Sequence, residues 1–396
     1  VLNTVANYIK KGAIIATDAV NAVYDPFEEF TRVGVHLETT YLASAFEIHM
    51  RDKFLDSSTG IWQYELPWNS GDQCIWHGVT TAMWAIKSTL VDEYDPVLYD
   101  SVKAMRHFFE FPDVIRRGVV GGEPQYNVSS DQISGLLCGL YWAYTYGRID
   151  AKVEAKKFIQ QLADTCLRTN FKLVNPGGTE TKHGKLVNGL LTDPLNLCIA
   201  LAILKLADLC YPEREYKVFY SNLVEQFKPT IPYGKVRLLW RDNAYDSHRA
   251  AISYSILCDL EKDEEIHGLY EKGLKRVWDI ERKTGNPWIY YLLRRATYYR
   301  PEDIDQVKKH LTEFTLSDKI MRVEKINSPL VATAKWGSKL RSLQPIPRYK
   351  MGSQDFFWQR NMRSVDDWVG QKEPVEAYNG MDYLIAYYGL KSLRLI

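Results

Sequence analysis

Six segments of this chain read as helices that are apolar on nearly every side, and each opens on an Asp or Asn. They begin Asp72-Gln-Cys-Ile-Trp, Asp131-Gln-Ile-Ser-Gly, Asp193-Pro-Leu-Asn-Leu, Asp246-Ser-His-Arg-Ala, Asn286-Pro-Trp-Ile-Tyr and Asn379-Gly-Met-Asp-Tyr. A helix with no polar face must be surrounded by protein. The first four start at 72, 131, 193 and 246, which spaces them 59, 62 and 53 residues apart. Asp72-Gln73 is followed by Ala82 and Ala85, and Asp131-Gln132 by Leu140 and Ala143, the trace of a degenerate repeat. Between these segments lie charged, amphipathic ones such as AKVEAKKFIQQLADTCLRTNF and PEDIDQVKKHLTEF, which need one wet face.

Helix-period patterns place helices near 3–22, 35–54, 74–90, 96–111, 131–147, 151–169, 193–210, 214–228, 246–260, 266–281, 286–299, 302–315 and 380–394. The expected fold class is therefore all-α, an inner helix and an outer helix alternating as six hairpins in a closed ring. The helix at 35–54 would pair with the C-terminal inner helix. The first helix is extra, so residues 1–30 are expected to pack on the outside and residues 31–396 to form a single domain. Inner-to-outer connections are short, whereas outer-to-inner ones are mostly long: 55–71, 112–130, 170–192, 229–245 and 316–379. In such a ring the inner helices run parallel. Every long loop and every inner-helix N-terminus then share one face, and long loops on a rigid scaffold usually carry function.

This rhythm, with the phrases Ser-Ser-Asp131-Gln132-Ile-Ser-Gly135, Phe357-Trp358-Gln359-Arg360 and Tyr378-Asn379-Gly380-Met-Asp382-Tyr, resembles the (α/α)6 toroid of the six-hairpin glycosidase type over roughly residues 35–396. The resemblance implies glycoside hydrolysis, polysaccharide lysis or sugar epimerisation at the long-loop end. Terpene and lantibiotic cyclases share related toroids, but the sequence has no DxDD run inside a helix and no Cys-Cys-His zinc set.

Asp72, Asp131 and Asp246 are the candidate acid/base residues. Inverting glycoside hydrolysis needs two carboxyl groups about 6.5–9.5 Å apart, leaving room for a water. Asp is also among the best N-caps, so repeated Asp at equivalent helix starts is what capping alone would produce. His77 and His248 are candidates to share or tune proton transfer near neutral pH; a satisfied core histidine is the plainer reading of His77. Gly78 lets a neighbour or ligand approach closely. Candidate substrate-binding residues are Trp62, Tyr64, Trp68, Tyr126, Tyr245, Trp288 and Trp358, whose rings suit sugar C–H faces, with Arg241 and Arg360 as clamps for a carboxylate or sulfate. The aromatic share of 13% makes such platforms plausible, although the same rings can pin loops to the scaffold.

The expected activity is that of a glycoside hydrolase acting on an oligo- or polysaccharide by carboxylate general acid/base catalysis. One alternative is a lyase for uronate-containing glycans, in which Tyr245, His248, Arg241 and His77 perform β-elimination. Another is a non-catalytic glycan-binding or structural module. No cofactor or metal is expected. GxGxxG after a strand, GxxxxGK[ST] and HExxH are absent, and none of the six cysteines sits in a CxxC pair. Fifty Lys and Arg against 49 Asp and Glu leave a net charge of +1, which argues against nucleic acid as a partner. No apolar run reaches 18 residues, so no membrane span is expected. The amphipathic start VLNTVANYIKK does not read as a signal peptide, and the expectation is a cytoplasmic or released soluble protein.

Overall fold

The structure, a computed structural model, describes residues 39–66, 71–91, 95–110, 112–235, 244–312, 333–336, 339–342 and 377–396. The helix expected at 3–22 lies outside them. The described residues are mostly helical. Twelve α-helices occur in the expected order: α1 Thr39–Lys53, α2 Gln73–Ser88, α3 Val97–Ala104, α4 Ser130–Tyr146, α5 Ile149–Arg168, α6 Pro194–Cys210, α7 Tyr216–Phe227, α8 Ala244–Leu260, α9 Glu264–Glu281, α10 Pro287–Ala296, α11 Ile304–Thr312 and α12 Met381–Ser392.

The two helix types separate as their composition demands. The even-numbered helices α2, α4, α6, α8, α10 and α12 are buried along most of their length. The odd-numbered ones bury one stripe; α9, for example, hides Tyr270, Leu274, Val277 and Trp278 while Glu264, Glu265, Lys272 and Arg276 stay exposed. Each inner helix packs on the outer helix that follows it, and α12 packs on α1. Each inner helix also touches the next, and α12 touches α2. Fully buried rings fill the interior of the helical body, including Trp76, Trp142, Trp288 and Tyr291, with Tyr254 and Tyr383 packed toward outer helices.

Two of the expected helices end early. The segment 96–111 is helical only to Ala104, continues as a 3-10 turn over Met105–Phe108, and leaves Phe109 extended and paired with Ile115. Successive aromatic residues followed by Pro112 favour that change over another helical turn. The helix expected at 286–299 stops at Ala296, because Thr297 is extended and its hydroxyl donates to Leu293 O at 2.9 Å.

Short strands qualify the all-α expectation. β1 (Glu65–Leu66) pairs antiparallel with β10 (Ala377–Tyr378), joining the connection before α2 to the one before α12. β2 (Phe109–Glu110), β3 (Val114–Ile115), β6 (Lys172–Val174) and β7 (Glu180–Lys185) form one sheet in that order. β4 (Gly118–Val120) and β5 (Glu123–Gln125) form a hairpin that turns at Gly121 and Gly122, both at positive φ. β8 (Thr333–Trp336) pairs with β9 (Lys339–Ser342). Two of the long connections, 112–130 and 170–192, are thus braced against each other by β3 and β6.

Gly78 serves a neighbour rather than a ligand. A Cβ on Gly78 would lie 2.8 Å from Leu136 N and closer still to the Gly135 carbonyl; one on Gly139 would meet Gly78 O at 2.5 Å. α2 and α4 therefore cross backbone to backbone through Gly78, Gly135 and Gly139. Gly78→Ala is expected to destabilise the fold by about 1–3 kcal/mol, the usual penalty for overpacking, as read from a chemical denaturation midpoint. An unshifted midpoint would mean that the two helices separate without cost.

Candidate functional site

The starts of α2, α4 and α8 bring three carboxylates together. Gln73, the first residue of α2, accepts from Val119 N–H through Oε1 at 2.6 Å, and so docks the β4 strand beside the helix start. Arg117 is held there as well: its backbone O accepts from Cys74 N at 2.8 Å, and its Nε donates to Gly71 O at 2.7 Å. The guanidinium then forms an ion pair with Asp72. The same Asp72 Oδ1 accepts from Gln132 Nε2 at 2.6 Å. Gln132 belongs to the first turn of α4, where its Oε1 accepts from Ser129 N–H at 2.6 Å. Asp72 is thereby tied to the residue next to Asp131.

Asp131 and Asp246 are joined by one arginine. Arg249 Nη1 lies 2.8 Å from Asp131 Oδ1 and 3.2 Å from Asp246 Oδ1, while its Nη2 donates to Ser130 Oγ at 2.7 Å and Asn196 Oδ1 at 2.8 Å. This guanidinium is almost wholly buried and links the starts of α4, α6 and α8. A buried charge is sustained only by such pairing. The three carboxylates themselves keep water contact, with side-chain exposures of 22% for Asp72, 36% for Asp131 and 34% for Asp246.

None of the three is a plain helix cap. Asp72 sits at the N-cap position of α2 but makes no capping hydrogen bond. The cap of α4 is Ser129, with Asp131 already inside the helix. Asp246 is likewise a first-turn residue of α8. Capping is the work of their counterparts: Asp193 accepts from Leu195 N, and Asn286 from Trp288 N and Ile289 N.

Burial raises the Asp131 carboxyl above the usual carboxylate range. Arg249 opposes this, whereas the like charges of Asp246 and Asp72 add to it. His183, in the paired strand β7, also acts on Asp131. Burial pushes the Tyr245 phenol well above its ordinary value. Tyr245 is almost fully buried, and its hydroxyl donates to Asp131 O at 3.4 Å. The Tyr64 ring stacks on Trp76 at 4.0 Å, and Trp76 in turn lies 6.3 Å from the Tyr245 ring.

Several expected site residues are scaffold instead. His77 is fully buried: its Nδ1 accepts from Trp62 N at 3.0 Å and its Nε2 bonds Ser101 O at 2.7 Å, so both ring nitrogens are engaged. Burial lowers its pKa to about 4, which keeps it neutral and removes it from proton transfer at the surface. His248 is equally buried, with Nε2 3.1 Å from Asn286 Nδ2 at the start of α10. Trp62 and Trp288 are core residues: Trp62 Nε1 donates to Ser101 Oγ at 2.8 Å, and Trp288 stacks on Tyr291 at 5.3 Å. Tyr64 is likewise enclosed, its hydroxyl 3.0 Å from the buried Asp382. None of these three offers a ring face to a sugar, because the tight interior leaves no access. Tyr126 is half-buried and donates to Glu110 Oε2 at 3.0 Å, toward the β2 strand. Trp68, Arg241, Trp358 and Arg360 lie outside the described residues.

The residues that sequence reasoning missed are Arg249, Arg117, Gln132 and Asn196. Arg249 left a signal in its three-residue spacing from Asp246 on a helix, and Gln132 one in the capping-box spacing from Ser129. Among the described residues no group of three or more His, Cys, Asp and Glu side chains is placed to hold a metal ion, and no helix is long and apolar enough to cross a membrane.

No known family profile matches this chain, and no curated protein matches it in sequence. Among solved structures, the GH76 alpha-mannanase of Bacteroides thetaiotaomicron, in its selenomethionine form, superposes with a TM-score of 0.48 and 10% identity, over 93% of this chain and 98% of that one.

Proposed function

We propose that the six helix pairs close as an (α/α)6 toroid and that the protein is a glycoside hydrolase for an oligo- or polysaccharide. The observation that carries this reading is the water-accessible set of Asp72, held by Arg117 and Gln132, and Asp131 and Asp246, joined by Arg249, at the starts of three inner helices and not used as caps. Asp131, whose proton is held more tightly than usual, is the general acid for the leaving oxygen. Asp72, ion-paired with Arg117, is the general base that activates a water. Asp246 is its substitute, and it also holds the Asp131 proton in place through its charge. Arg249 is a positioning residue: it fixes the separation of Asp131 and Asp246.

The lyase alternative loses support, because two of its proposed members, His77 and His248, are enclosed in the core. The test is incubation of the full chain with a panel of neutral and acidic glycans, followed by proton NMR of the products. Expected are new anomeric signals from cleaved glycosidic bonds without absorbance at about 235 nm, the mark of an unsaturated uronate formed by proton abstraction. Absorbance at that wavelength would replace hydrolysis by elimination. Saturable binding with no product on any glycan would favour the binding module.

A further inference from the structure

Asp72 is gripped by one oxygen. Its Oδ1 accepts from the Gln132 amide at 2.6 Å and also takes the Arg117 guanidinium, whereas Oδ2 accepts no hydrogen bond among the described residues. The two donors differ in what they are fixed to. Arg117 is bonded back to Gly71 O and Cys74 N, close to Asp72 in the chain. Gln132 belongs to α4, one residue after Asp131 and in the same helical turn. Among the described residues, Gln132 therefore makes the direct bond between Asp72 and the helix that carries Asp131.

The amide has no freedom to turn. Gln132 is 2% exposed, and its Oε1 accepts from both Ser129 N–H and Ser129 Oγ–H at 2.6 Å. This is the capping box of α4, in which Glu serves as well as Gln. With the oxygen claimed by two donors, only Nε2 is left to face α2. A glutamate would cap the helix equally, but it would set an acceptor against the Asp72 carboxylate. Glutamine satisfies both neighbours at once, and so does something that capping does not require.

We propose that Gln132 is the positioning residue of the general base: by holding Oδ1 it fixes Asp72 relative to Asp131 and leaves Oδ2 to take the proton of the attacking water. This rests on the hydrolase reading above. In that step the water oxygen bonds to the anomeric carbon and its proton passes to Asp72 Oδ2. The glycosidic C–O bond breaks, and the leaving oxygen takes the Asp131 proton. The deciding variant is Gln132→Glu, which keeps the capping acceptor and loses the donor toward Asp72. It is expected to lower kcat about tenfold or more, as a misplaced group does, with KM within about twofold. The acidic limb of the pH profile is expected to move upward, because facing carboxyls share a proton. Arg117, Asp131, Asp246 and Arg249, the other charges around Asp72, are the same in both chains. Added to Asp72→Asn, the substitution is expected to cost nothing further. A substrate-free reading comes from the 15N-labelled full chain. The Gln132 side-chain amide, identified by its loss in Gln132→Glu, is expected to show one downfield proton that moves upfield in Asp72→Ala. Wild-type kcat and acidic limb in Gln132→Glu, a further loss on top of Asp72→Asn, or an amide signal indifferent to Asp72→Ala would each overturn this role alone. A wild-type chain that cleaves no glycan would overturn it together with the hydrolase reading, and an amide signal that still answers to Asp72→Ala tells the two failures apart.

Discussion

Asp131→Asn is expected to lower the turnover of the cleaved glycan by about 10²–10⁴-fold, the usual share of a general acid, while the protein remains folded. The amide is close in shape to the carboxyl and keeps an oxygen for Arg249 Nη1, now 2.8 Å from Asp131 Oδ1. Asp72→Asn is expected to act comparably, because it removes the base. The pH profile separates the roles. The Asp131 carboxyl is raised, first by burial and then by Asp246 and Asp72. Only its protonated form donates, so turnover falls as pH climbs through that raised value, and this basic limb is lost in whatever activity Asp131→Asn retains. Removing the Asp246 charge by Asp246→Asn makes Asp131 easier to deprotonate and leaves Arg249 to Asp131 alone. Both effects move the basic limb to lower pH. Turnover and limb unchanged in Asp131→Asn and Asp72→Asn would remove both residues from the mechanism.

The scaffold was legible because helices without a polar face admit few environments. The segments that open on Asp72, Asp131, Asp193, Asp246, Asn286 and Asn379 are buried as their composition requires, and α12 does pack on α1. The short strands were not legible. β3 and β6 are two and three residues long, and no period-two pattern can register over that span. The site was half legible for a similar reason. Asp72, Asp131 and Asp246 stand within the first residues of inner helices spaced as a repeat, although at different cap-relative positions. Arg117 and Gln132 hold them through contacts 45 and 60 residues away in sequence, which leave no local trace. Aromatic composition misled in the other direction. Trp62, Tyr64 and Trp288 precede or begin inner helices, where a ring serves a platform and a core equally well, and the interior takes them all. A sequence pattern gives the face of a helix more readily than its depth.

The depth of His77 has a consequence that can be measured without any substrate. Its pKa falls from an ordinary value of 6.5 to about 4 in the folded chain, chiefly through burial. Between those values the unfolded chain binds a proton that the folded chain refuses, so stability rises with pH across this window and is lost on acidification. At 1.36 kcal/mol per unit, the full loss from this one ring is about 3 kcal/mol by pH 4. Unfolding free energies from urea titrations at pH 7 and pH 4 are expected to differ by that much more in the wild-type chain than in His77→Gln. The glutamine keeps an amide for Ser101 O and an oxygen for Trp62 N–H but takes up no proton. It is less stable at pH 7, where the ring fits better, and it closes the gap as the solution is acidified. His107 is also depressed and Asp131 is raised, but both remain in either chain and cancel in the comparison. If the two proteins lose stability in parallel, the imidazole is reached by water in the folded state. His77 would then return to the set of groups able to exchange protons with a substrate.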